Sequence, residues 1–130
     1  MPGSDGKKMS KSYGNDLGLF ASDEETEKFV MGIVTDSSGE KPENVFAIHK
    51  LVRSETELKE IYEQNKGKYK ILKEVLIEDL KNFIKPLREK REEIVKDMNF
   101  VNKVLEEGKQ KATVVASAKM QVVKKAIGVN

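Results

Sequence analysis

A chain of 130 residues, 38% hydrophobic and 35% charged, is long enough for one domain with a modest core. Its charge content exceeds the roughly 25% of an average soluble domain, which favours helices with wide solvated faces. The absence of cysteine excludes disulfides, thiolate zinc sites and cysteine nucleophiles, and a single histidine makes a poor start for a histidine metal site or a serine-type triad, so no metal site is expected. With 24 basic against 22 acidic residues, the formal charge of +2 is too small to mark nucleic-acid binding by itself, and local patches must decide it. No apolar run approaches the roughly 18 residues of a membrane span, and the polar N-terminus lacks the apolar segment of a secretion signal. A cytoplasmic protein without a membrane partner is expected.

From Met1 to Leu19 the chain carries Gly3, Gly6, Gly14 and Gly18 among serines and lysines, which reads as a mobile loop with no partner of its own to pack against. Ser22 and Glu25 form a capping box that starts a helix at about Asp23. Phe29, Val30, Ile33 and Val34 give this helix an apolar face until the Thr35-Asp36-Ser37-Ser38-Gly39 turn. A hydroxyl, a carboxylate and a second hydroxyl at Thr35, Asp36 and Ser37 fit turn closure and amide capping better than catalysis.

Val45, Phe46, Ile48, Leu51 and Val52 predict a short second helix. Ser54 and Glu57 repeat the capping box ahead of Leu58, Ile61 and Tyr62, with Gly67 as a stop. Leu72, Leu76, Leu80, Phe83, Leu87, Ile94 and Met98 follow three- and four-residue steps, so one amphipathic helix spans Tyr69 to about Asp97 with Pro86 inside it. Val101, Val104, Leu105, Gly108, Ala112, Val115, Lys119, Val122 and Ala126 continue the period into a last helix, with Lys119 the polar exception. The expected fold is all-α, a bundle of about five helices over residues 21–130, preceded by a flexible loop over residues 1–20. Phe83, Phe100 and Tyr69 are expected in its core rather than on a base-stacking surface. His49, inside a helix, reads as a structural histidine.

Chemistry must then come from lysines, hydroxyls or carboxylates. Lys8-Met9-Ser10-Lys11-Ser12 sets two ammonium groups three positions apart on a glycine-flanked loop, with two hydroxyls that can fix the backbone or donate to an oxyanion. Such a loop suits a polyphosphate, because lysine is a compact, mobile charge that can meet a leaving pyrophosphate as its charge develops. From Gly108 to Asn130 the lysines 109, 111, 119, 124 and 125 stand with no acidic residue, a local charge of +5 that fits either an RNA-backbone footprint or a solvated basic face. Arg88, Lys90 and Arg91 form a second basic group, diluted by Glu89, Glu92 and Glu93.

Lys8 to Ser12 spells KMSKS, the signature of class I aminoacyl-tRNA synthetases, between Pro2-Gly3-Ser4-Asp5-Gly6-Lys7 and Tyr13-Gly14-Asn15. Nearly the whole chain resembles the C-terminal part of the tryptophanyl-tRNA synthetase family. Val34 to Gly39 is similar to its VTDSxG turn, and Gly67 with Tyr69, Pro86 to Arg91, Glu107-Gly108-Lys109 and Val115-Ala116-Ser117 are similar as well. The tyrosyl relative is the nearest alternative. Its bacterial members often append a strand-containing RNA-binding domain, of which this sequence has no sign.

The resemblance implies a Rossmann-type catalytic domain that activates L-tryptophan with ATP and Mg²⁺ and then aminoacylates tRNA(Trp). It further implies a homodimeric whole enzyme and no DNA partner. The ATP-binding histidine motif of the class is absent, so the chain reads as a fragment, inactive and monomeric alone and binding no cofactor stably. On this reading Lys8 and Lys11 are the catalytic pair, and Lys8, Met9, Ser10, Lys11 and Ser12 form the ATP and pyrophosphate loop. Residues 21–130 form an anticodon-binding-type domain in which Arg88, Arg91, Lys109, Lys111 and Lys119 contact tRNA. The alternative is a stand-alone helical module that binds tRNA or protein, in which the KMSKS segment is a relic.

Overall fold

A computed structural model describes residues 1–35, 39 and 41–129. Five α-helices follow one another: α1 (Asp23–Met31), α2 (Glu43–His49), α3 (Glu55–Gln64), α4 (Tyr69–Lys96) and α5 (Met98–Ala126). A short 3₁₀ turn over Lys11–Tyr13 precedes them, and among the described residues no strand forms beyond an isolated antiparallel bridge between Pro2 and Lys8. The all-α expectation is met.

Both capping boxes form as the sequence predicts. The Ser22 hydroxyl accepts from the Glu25 amide at 3.1 Å while the Glu25 carboxylate accepts from the Ser22 amide at 2.7 Å, and Ser54 with Glu57 repeats the exchange. α1 stops at Met31, short of the expected Thr35. Gly32 follows it, and the Lys73 ammonium donates to the carbonyls of Met31 at 2.9 Å and Ile33 at 2.8 Å, which satisfies acceptors that a continuing helix would have used. That position partly desolvates Lys73 and lowers its pKa from the ordinary lysine value. α4 runs through Pro86 without ending, and Asp97 caps α5 by accepting from the Phe100 amide at 3.0 Å.

By compactness the chain divides into two units, Met1–Glu89 and Lys90–Asn130. In the first unit, one cluster joins Phe29, Val30 and Ile33 to Val45 and Ile48 of α2 and to Leu76, Ile77 and Leu80 of α4. A second joins Phe46, Leu58 and Tyr62 to Leu72. Met9 and Leu17 pack against the first cluster, which corrects the expectation that the first twenty residues lack a partner in this chain. Ion pairs reinforce the α1–α4 contact: Lys81 bonds Glu27, and Arg88 bonds Asp23 at 2.8 Å and the Ala21 carbonyl at 2.7 Å.

In the second unit none of the residues of α5 is fully buried, and its apolar series is mostly open to solvent. The core placement of Phe83 and Phe100 is also corrected, since they are 48% and 52% exposed. On α4 the buried row runs Leu72, Leu76, Leu80, Ile84 in four-residue steps, which leaves Phe83 turned about 100° from Ile84. Tyr69 is partly buried, and its hydroxyl donates to the Gly39 carbonyl.

His49 is fully buried, as a structural histidine should be. Its Nε2 lies 2.7 Å from Asp79 Oδ2 and its Nδ1 3.2 Å from the Tyr62 hydroxyl, while Arg53 donates to Asp79 Oδ1 at 2.6 Å. Burial is the larger influence and holds the imidazole below its ordinary pKa, against the opposing pull of Asp79. The unfolded chain therefore takes up the proton first as pH falls, and folded stability drops below about pH 6.5 until the folded-state pKa is passed. Urea unfolding at pH 7.5 and 5.5 should show this loss, and His49→Gln should flatten it. His49→Ala should cost roughly 2–4 kcal/mol at pH 7.5 by stranding Tyr62 and Asp79. A wild-type urea midpoint equal at the two pH values would contradict the assignment.

A clamped lysine loop as candidate functional site

The loop over residues 1–15 is folded back on itself through the backbone. Gly3 N–H donates to the Lys7 carbonyl at 2.7 Å, Gly6 N–H to the Gly3 carbonyl at 3.0 Å, and Met9 N–H to the Met1 carbonyl at 3.1 Å. Gly6 sits at φ 76° and Gly14 at φ 61°, left-handed conformations at the turn before Lys8 and at the end of the 3₁₀ turn, where a side chain would be strained. The loop is tied to the helical unit as well: Val34 N–H donates to the Ser4 carbonyl at 2.8 Å, and Asn44 Nδ2 donates to the Val34 carbonyl at 2.9 Å.

Asn15 stands at the centre of this arrangement and is 3% exposed. Its Oδ1 accepts from the Ser10 amide at 2.7 Å, and its Nδ2 donates to Asp5 Oδ1 at 2.7 Å and to the Lys8 carbonyl at 3.2 Å. Only this orientation of the carboxamide serves all three partners, because a carboxylate and a carbonyl need donors and an amide N–H needs an acceptor. The Asn15 carbonyl also accepts from Ser4 N–H at 3.0 Å. Asp5 is held below the ordinary carboxylate range, chiefly by the Asn15 bond and further by the Lys7 amide and ammonium.

Lys8, Lys11 and Ser12 are exposed, Ser10 is half-buried, and Met9 faces the apolar cluster. Among the described residues neither Lys8 nor Lys11 has an ion-pair partner, so both ammonium groups are available to an anion. The loop thus has a hydrogen-bonded backbone and two exposed cations. The sequence located the cations; Asn15 and Asp5 appeared in it only as flanking residues. A buried asparagine beside Gly14 carries no signal that separates it from an ordinary turn residue.

The other expected contacts are dispersed. Arg88 is engaged with Asp23 and Ala21, while Arg91 is exposed on α4. Lys109 pairs with Glu106 at 3.0 Å, and Lys111 and Lys119 are exposed on α5. At about 100° per residue the five lysines after Gly108 on α5 point around the helix rather than along one stripe, and Lys119 falls within the apolar series. Asp36 and Ser37 of the hydroxyl–carboxylate turn lie outside the described residues.

The model of the family described as "tRNA synthetases class I (W and Y)" matches residues 1–106. The tryptophan–tRNA ligase of Fusobacterium nucleatum is 36% identical over 136 residues, covering 98% of this chain and 42% of that protein. The tryptophan–tRNA ligase of Aquifex aeolicus is 36% identical over 139 residues, covering 98% and 35%. Crystal structures of tryptophanyl-tRNA synthetase from Campylobacter jejuni superpose with a TM-score of 0.84 at 34% identity. The alignment covers 98% of this chain and 44% of that one, and one such crystal contains ADP and tryptophan. The chain spans about two fifths of the length of these relatives.

The loop geometry has a direct readout. In amide exchange, Met9 and Ser10 should be protected by the Met1 carbonyl and Asn15 Oδ1, whereas Lys11 and Ser12, at the open start of the 3₁₀ turn, should exchange at least about tenfold faster. Uniformly fast exchange from Lys8 to Ser12 would contradict the clamped backbone.

Proposed function

Because the chain belongs to the class I tRNA synthetase family that serves tryptophan and tyrosine, we propose that it supplies the KMSKS loop and the helical tRNA-contacting part of a tryptophan–tRNA ligase. The names of the relatives favour tryptophan over tyrosine. On this reading residues 1–20 are the loop and its link to a Rossmann-type catalytic domain, and residues 21–130 the anticodon-binding-type domain. The whole enzyme joins L-tryptophan to tRNA(Trp) at the expense of ATP, as a cytoplasmic homodimer. Among the described residues no helix is long and apolar enough to cross a membrane.

The observation that carries the proposal is the pair of unpaired, exposed lysine heads on a backbone that is itself held. Carboxylate attack on the α-phosphate of ATP expels pyrophosphate, and negative charge accumulates on the β- and γ-phosphate oxygens as the bond breaks. Lys8 and Lys11 neutralise that charge, and Ser10 and Ser12 add neutral donors. Asp5 accepts from both Asn15 Nδ2 and the Lys7 amide through Oδ1, which turns that oxygen into the loop and leaves Lys8 and Lys11 to meet phosphate. Mg²⁺ bound together with ATP would supply further charge neutralisation.

In the complete enzyme, Lys11→Ala should lower kcat for tryptophan-dependent ATP–pyrophosphate exchange by about 100-fold or more with little change in KM for tryptophan, as for a contact made mainly in the transition state. Lys8→Ala should act in the same direction and Ser10→Ala more weakly. The 130-residue chain alone should support no exchange. A Lys11→Ala enzyme that exchanges normally and loses only tRNA affinity would refute the phosphate role.

For RNA, the lysines of α5 should give weak binding whose Kd rises with salt, because backbone neutralisation is the interaction they offer. Replacing Lys109, Lys111, Lys119, Lys124 and Lys125 by glutamine should abolish tRNA retention in filter binding. Retention unchanged in a folded variant would place the tRNA surface elsewhere.

A further inference from the structure

Asn15 spends its carboxamide on residues that bracket Met9: it takes the Ser10 amide on one side and gives to the Lys8 carbonyl on the other, while the Met9 side chain is seated on the apolar cluster. The segment between the two lysines is therefore held from two directions. We propose that Asn15 is a positioning residue for phosphate chemistry, fixing the backbone from which Lys8 and Lys11 reach the departing pyrophosphate. This deepens the function proposed above and rests on it.

Two further observations support the role. Gly3 is packed so closely on Asn15 that a Cβ at that position would lie 2.5 Å from its Cγ and Nδ2 and 2.6 Å from its carbonyl oxygen. The seat is thus shaped to the amide, and no larger residue fits without moving it. Asp5 completes the seat, accepting from Nδ2 and orienting the carboxamide so that its oxygen faces Ser10. A carboxylate at position 15 would keep the shape and the Ser10 bond, yet it would lose the donor to Lys8 and set a second negative charge against Asp5. Preorganising the backbone while the ammonium groups stay free places the cations without paying for loop ordering at the moment the charge develops.

The test has two levels. In the 130-residue chain, Asn15→Ala and Gly3→Ala should speed Ser10 amide exchange by about tenfold or more and leave the amides of α1 and the first half of α4 unchanged, since the helical clusters do not depend on the carboxamide. In the complete enzyme, Asn15→Ala should lower kcat for ATP–pyrophosphate exchange about tenfold or more, with KM for tryptophan little changed. Asn15→Asp should do the same despite its shape, and it serves as the test if the alanine variant does not fold. Combined with both Lys8→Ala and Lys11→Ala, Asn15→Ala should add little further loss, because a residue that acts through the two lysines then has nothing left to position. Wild-type kcat in Asn15→Ala beside a crippled Lys11→Ala would overturn the positioning role alone. A loss that still multiplies when both lysines are already alanine, or that follows only the folded fraction, would overturn it too. Normal exchange by Lys11→Ala would instead bring down the phosphate reading on which it rests.

Discussion

Everything in the first compact unit leans on one row of α4. Leu72, Leu76, Leu80 and Ile84 recur every four residues and are all buried, giving a single ridge that winds about 40° around the helix per step and on which α1, α2 and α3 can each bury an apolar face. Leu72 closes the cluster with Phe46, Leu58 and Tyr62, and Leu76 and Leu80 close the one with Phe29, Val30, Val45 and Ile48. Met9 and Leu17 belong to the second of these, so the lysine loop inherits its position from the same ridge. The polar contacts are consequences of that packing: Lys73 can cap α1, and Arg88 can reach Ala21, only because α1 already lies along α4.

The buried His49 network fits the same logic. An imidazole, a phenol, a carboxylate and a guanidinium from α2, α3, α4 and the segment after α2 satisfy one another where the apolar clusters exclude water. Among the described residues no buried side-chain polar atom lacks a partner. Such a network discriminates between arrangements of the helices, since shifting any of the three helices strands at least one polar group. The edge-on stacking of Phe46 on Tyr62, with ring centroids 4.9 Å apart, fixes the phenol that receives His49.

Local signals were readable in the sequence because they depend on residues three or four apart. Ser22 with Glu25, Ser54 with Glu57, and the leucine row of α4 all fall in that class, and each helix start they mark is where the structure has it. The KMSKS residues were readable for a different reason, that five specific side chains in a row are rarely accidental. What escaped is non-local. Asn15 meets Asp5 ten residues away, Lys73 meets Met31 across 42, and Met9 meets an apolar cluster built from three helices. A glycine-rich polar segment looks unanchored when only its own composition is weighed, although two apolar side chains and one buried amide suffice to anchor it. The apolar period of α5 marks a helix, yet none of its residues is buried, because a periodic face states where a partner could lie and not that one does.

The loop also shows why an asparagine, rather than more lysine or more apolar contact, holds such a site. Additional apolar anchoring would have to draw on side chains near the lysines and would shield the cations from any approaching anion. A further cation would compete for that anion and repel the two already there. A neutral carboxamide adds no net charge and still offers both donors and an acceptor, so it can bind a carbonyl, an amide and a carboxylate at once. The carboxylate it orients, Asp5, is turned toward Asn15 and the Lys7 amide, which keeps its charge engaged with the loop backbone rather than with Lys8 or Lys11. Rigidity and charge are thereby supplied by different groups, so the ammonium heads can change rotamer while their backbone stays in place.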